Sequence, residues 1–166
     1  RIGESIYNKY GTKFTIVKYI SCSEIIVETE DGILYTTSYG RFKTKQIRHK
    51  NEKSILNIGY LGEARTYEEG KIKNSYKTWF QMMRRCYDFK FQKTNAPTYI
   101  NCSVCEEWHC YANFEKWYDE NYWECGEEKM QLDKDILIYN NKTYSPNTCL
   151  FIPHRINPIF SNINKT

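Results

Sequence analysis

Two carboxylates flank a lysine at Asp133-Lys134-Asp135, a polar turn follows at Asn140-Asn141-Lys142, and a further asparagine, Asn157, stands beyond Pro153. Few side-chain oxygens brought to one point, with water and phosphate completing the shell, are what Mg²⁺ or Mn²⁺ requires. Such an ion neutralises charge that develops on a phosphodiester and its leaving oxygen. The chemistry to expect from Asp133 and Asn157 is therefore metal-assisted phosphoryl hydrolysis. Read alone, the same stretch also fits a surface hairpin with a solvated Asp-Lys-Asp.

Two other clusters could do chemistry. Cys102 and Cys105 form a C-x-x-C with His109 and Cys110 close behind. Zinc takes four sulfur or nitrogen ligands in a tetrahedron. A second C-x-x-C is missing, so the zinc reading rests on an incomplete ligand set. Thiol catalysis needs a histidine beside a cysteine, and nothing in the spacing places His49, His109 or His154 there.

The elements that must position Asp133 and Asn157 read as strand, turn, strand, helix. Leu132 and Ile136–Ile138 are strand-like, Asn140-Asn141 tolerates left-handed backbone, and residues 148–152 form a second strand. Pro153 suits the first turn of a helix, where a missing N–H is harmless. Asn157 then lies one turn in and faces back toward Asp133.

Upstream, Tyr76, Trp79-Phe80, Met83 and Cys86-Tyr87 recur at helical spacing, with Arg84 and Arg85 beside the apolar stripe. Ser103 and Glu106 match a capping box, which predicts a second helix starting after Ser103, made acidic by Glu106, Glu107, Glu115, Asp119 and Glu120. The first sixty residues read as strands: residues 13–20, 24–30 and 33–37, the last two joined by Asp31-Gly32 in the pattern of a type I′ hairpin. Arg41, Lys43, Lys45 and Arg48 follow. In an extended strand Arg41, Lys43 and Lys45 share one face, a footprint for a polyanion. Lysines also guard solvated strand edges, which is the alternative reading.

The residues from Leu132 to Asn157 resemble the motif of phage HNH homing endonucleases and of related phage HNH-like proteins, in the form L-D-K-D, N-N-K, Y-S-P-x-T-C-x-F and a terminal asparagine. The Tyr76-x-x-Trp79 to Cys86 segment and the Val104-Cys-Glu-Glu-Trp108 to Trp117 segment are similar to that group as well. The resemblance covers about residues 75–160. It implies a ββα-metal unit, DNA as substrate, a divalent cation at Asp133 and Asn157, and a turn-stabilising role for Thr148. Lys134 falls where the family carries its general-base histidine. Lysine near pKa 10.4 is protonated at neutral pH, so it suits a role at the scissile phosphate, with His154 or metal-bound hydroxide as the base. The alternative is a catalytically degenerate HNH scaffold that binds DNA or a protein partner, as a regulatory or anti-defence factor.

Bulk properties agree with a folded chain. Of 166 residues, 40% are hydrophobic and 27% charged, a profile that excludes disorder. The net charge of +4 permits a polyanionic partner without demanding one. Seven cysteines, an odd number, with no signal-peptide pattern and no membrane-length apolar run, predict free thiols in a cytoplasm, which by the resemblance is that of an infected bacterium. The expectation is an α+β protein: a small β-sheet or SH3-like barrel over 1–60, then helices and an HNH-like ββα unit over 61–166. Arg41, Lys43, Lys45, Arg48, Arg84 and Arg85 are the expected DNA contacts.

Overall fold

The computed structural model describes residues 1–156. It is an α+β structure with two compact units, one spanning Arg1–Glu52 and the other beginning at Lys53.

The first unit is an antiparallel meander of β1 (Ser5–Tyr7), β2 (Lys13–Tyr19), β3 (Ile25–Thr29) and β4 (Leu34–Thr37), paired in chain order. The register slips between Ile16 and Lys18, so Val17 bulges and bends the sheet. Alternation puts Phe14, Ile16, Ile25 and Val27 on one face, where they close over Phe42 and Ile47. A buried polar knot completes the unit. Asn8 donates to the Ile47 carbonyl and to the Glu52 carboxylate, and Thr12 donates to the same carboxylate at 2.7 Å.

Two expectations change here. The β3–β4 hairpin forms where Asp31-Gly32 predicts, but only Gly32 has positive φ (79°), and Gly32 N–H bonds the Thr29 carbonyl. That is the three-residue loop with a left-handed glycine, not a type I′ pair. The basic segment is not a strand either. Ser38 caps a short helix, α1 (Tyr39–Lys43), by accepting the Arg41 N–H. Phe42 then plugs the core, fully buried, and this helical spacing with Tyr39 overrides the alternation of the basic residues.

The second unit opens with a loop and a small hairpin of β5 (Tyr67–Glu68) and β6 (Lys71–Ile72). The predicted first helix is α2 (Asn74–Tyr87), followed by α3 (Phe89–Asn95). Ser103 does not cap a helix. It begins β7 (Ser103–Val104), which pairs in parallel with β9 (Thr143–Tyr144), and its hydroxyl meets that of Thr143 at 3.1 Å. A 3-10 turn, Glu106–His109, leads into α4 (Tyr111–Asn121). Last, β8 (Met130–Asp133) pairs antiparallel with β10 (Leu150–Pro153), Asp133 opposite Leu150. Pro153 therefore ends a strand rather than starting a helix. Among the described residues no helix is long and apolar enough to cross a membrane.

The core joins α2 to α4 and to β10 through rings: Trp79, Trp108, Tyr111, Phe114, Tyr118 and Phe151. Trp79 donates its indole N–H to the Trp108 carbonyl at 2.7 Å. Gly59 is the residue that lets the loop lie on this ring. A Cβ there would stand 2.9 Å from the Trp79 ring and 3.1 Å from the Met83 methyl. Gly59→Ala is expected to cost about 1–3 kcal/mol by overpacking, read as a lower urea midpoint in tryptophan fluorescence.

All seven cysteines are free. Burial pushes the Cys86 and Cys149 thiols from 9.0 up to about 12. The folded state thus keeps protons that the unfolded chain releases, and this contribution to stability, full below pH 9.0, is lost as pH rises toward about 12. With iodoacetamide at about pH 8, exposed Cys22 should be alkylated in the folded protein while Cys86 and Cys149 react only after denaturation.

Candidate active site

Asp133 is the last residue of β8, and its side chain ends the strand. Its Oδ1 accepts the backbone N–H of Asp135 at 2.7 Å and of Ile136 at 2.9 Å. This local capping turns the chain away, so Ile136–Ile138 form a loop and not the predicted extension of the strand. Asn141 closes the loop. Its amide donates to the Lys134 and Thr143 carbonyls, and its oxygen accepts the Thr143 N–H. Asn140, at φ 57°, takes the left-handed conformation the sequence predicts for this pair. Thr148 holds the next turn by donating to the Thr143 carbonyl at 2.9 Å and accepting the Ser145 N–H at 3.1 Å.

Lys134 is buried beneath this loop. Its ammonium donates to both oxygens of Asp135, at 2.6 and 2.7 Å, and to the Asn141 carbonyl at 2.9 Å. All three N–H donors are therefore committed, and the ammonium has no lone pair to take a proton. Lys134 staples the loop.

A cleft of about 1020 Å³ opens over these residues. One wall is the α2 face that carries Lys77, Gln81 and Arg85, spaced one turn apart; the other is β8 and the loop after it. Five cations line it: Lys77, Arg85, Lys129, Lys134 and Lys142. Asp133 and Asp135 are its carboxylates, and Asp135 is consumed by Lys134. Among the described residues, no salt bridge engages the other four cations. Tyr144 shares the cleft wall with Arg85, and burial raises its phenol well above its ordinary value.

The second oxygen of Asp133, Oδ2, makes no hydrogen bond among the described residues. Among the described residues the cleft thus offers a hard divalent ion one carboxylate oxygen outside an ion pair, and such an ion would have to take the rest of its shell from water and substrate oxygens. Asn157, the other expected ligand, lies outside the described residues.

The remaining expected residues are distributed as follows. His154 is exposed in a turn, its backbone N–H bonded to the Lys129 carbonyl at 2.9 Å, and it is not among the residues that line the cleft. Arg84 pairs with Asp88 at 3.5 Å and stacks on Phe91 at 4.0 Å, whereas Arg85 enters the cleft. In the first unit Arg41 and Lys43 lie on α1, with Lys43 bonded to Glu4 at 2.9 Å. Lys45 is left-handed (φ 58°), and Arg48 stands 6.0 Å over the Tyr10 ring. They do not form the single-faced stripe that an extended strand would give.

The cysteine cluster is dispersed among different neighbours. His109 directs Nε2 at the Val104 carbonyl, 3.1 Å away, and Cys110 faces the backbone at Gly62. Among the described residues, no three His, Cys, Asp or Glu side chains are grouped to hold a metal ion.

Sequence reasoning missed Lys77, Lys129, Lys142 and Tyr144 as parts of the cleft. The i, i+4, i+8 spacing of Lys77, Gln81 and Arg85 on a helix was the available signal. The chain matches no family model, no curated protein and no solved structure.

Proposed function

We propose that the protein is a metal-dependent DNA endonuclease of HNH-like type, with the phosphodiester backbone received in the cleft of the second unit. The observation that carries the reading is the company Asp133 keeps: its Oδ1 is pinned by backbone, its Oδ2 has no hydrogen bond among the described residues, and the same cleft is lined by four cations with no ion-pair partner among the described residues. A phosphate held by Lys77, Arg85, Lys129 and Lys142 would be brought against that oxygen. Asp133 would hold the divalent cation, Asn157 being its expected second ligand. When bound, the ion supplies Lewis-acid charge to the phosphate and its leaving oxygen. Lys134 does not act as base in this reading. It fixes the loop that orients Asp133.

A second reading is favoured by the committed Lys134 ammonium, which has no lone pair to act as a base. By the resemblance Lys134 falls where the family carries its general-base histidine, so a scaffold that binds DNA without cutting it would have the same cleft and the same charges.

Both readings require phosphate contacts in the cleft. Binding of the full chain to labelled duplex DNA should weaken with salt. Each of Lys77→Ala, Lys129→Ala and Lys142→Ala should make the slope of log affinity against log salt shallower by about 0.9. Slopes that stay at the wild-type value in all three variants would place the DNA elsewhere.

A further inference from the structure

The loop above Lys134 ends in an apolar tip that the nuclease reading leaves unused. Leu137, Ile138 and Tyr139 are consecutive and 57%, 50% and 70% exposed. The loop is not slack. Asp133 caps its start, Lys134 ties Asp135 to the Asn141 carbonyl, and the Asn141 N–H bonds the Ile138 carbonyl at 3.2 Å. With Asn140 left-handed, Ile138–Asn141 is a closed β-turn that carries Tyr139 at its corner. Three polar side chains thus hold three apolar ones out toward solvent, a costly arrangement for a surface with no partner.

Position says what the partner is. Tyr139 itself lines the cleft, together with Lys142, Lys77 and Arg85. A ring beside a row of cations suits a ligand with a charged backbone and flat apolar faces. Aromatic side chains stack on bases, and apolar wedges part base steps in duplexes held by flanking cations.

We propose that Tyr139 stacks on a base unstacked from DNA in the cleft. This rests on the reading of the cleft as a DNA site and specifies the substrate: DNA distorted or unpaired where it lies in the cleft.

The test compares a fluorescently labelled duplex with the same duplex carrying one unpaired 2-aminopurine, each titrated with full-length wild type, Tyr139→Ala and Tyr139→Phe. Wild type should bind the interrupted duplex more tightly and quench the 2-aminopurine. Tyr139→Ala should lose on the order of tenfold on that DNA, lose the quench, and lose clearly less on the intact duplex, so that the preference for the interrupted DNA disappears. Tyr139→Phe, which keeps the ring, should behave as wild type. If Tyr139→Ala matches wild type on both DNAs and quenches equally, the stacking role is overturned while the DNA site stands. If wild type binds neither DNA, the cleft reading and this inference fall together.

Discussion

Asp135→Ala is expected to destabilise the second unit by about 3 kcal/mol, and Lys134→Met by only about 1 kcal/mol, although both break the same ion pair. The difference lies in what each leaves behind. The Lys134 side chain is 6% exposed and that of Asp135 is 45% exposed. Removing the aspartate strands an ammonium under the loop with the Asn141 carbonyl as its remaining acceptor. Removing the lysine leaves a carboxylate that water can reach, and one carbonyl to rehydrate. The double variant should be more stable than Asp135→Ala alone, because no buried charge remains. All four tryptophans lie beyond Lys53, so urea titration followed by their fluorescence reports on this unit alone. Equal costs for the two single variants, or the reverse order, would contradict the account of Lys134 as a buried staple.

The second large effect is at Asp133, where two roles must be separated. Its Oδ1 caps the loop, and its charge is what a cation requires. Asp133→Ala removes both and should loosen the loop as well as end cleavage. Asp133→Asn keeps an oxygen able to accept the Asp135 and Ile136 N–H groups and removes the charge. It should retain the wild-type urea midpoint and affinity for duplex DNA, yet lose hydrolysis by on the order of a thousandfold or more, the range for removing a group that holds transition-state charge.

Local signals in the sequence were read well where structure is local. The 3.6-residue recurrence from Tyr76 to Tyr87 is α2, and Asp31-Gly32 is a hairpin. Asp133 and the residues around Phe151 do lie on paired strands. The errors came from partners far along the chain. Ser103 looks like a helix cap until Thr143, its hydroxyl partner, is seen beside it in a parallel pair. Arg41, Lys43 and Lys45 alternate as a strand face would, but burial of Phe42 fixes a helix there. Ile136–Ile138 read as a strand because apolar runs are usually buried. The Asp133 cap and the Asn141 brace instead hold Leu137 and Ile138 outside.

The site was half legible for the same reason. The Asp-Lys-Asp triplet and the Asn-Asn turn mark it in sequence. Its cations are scattered over α2, the residue before β8 and the residue before β9, and only folding gathers Lys77, Arg85, Lys129 and Lys142 into one cleft with Asp133.

The most direct measurement is cleavage of supercoiled plasmid by the full chain in Mg²⁺ or Mn²⁺, with Asp133→Asn purified alongside. Metal-dependent nicking or linearisation by wild type, absent in chelator and absent in a variant that still folds and still binds, is the predicted result. Cleavage that persists in Asp133→Asn, or a wild type that binds plasmid tightly and never cuts it under either metal, would contradict the proposed nuclease.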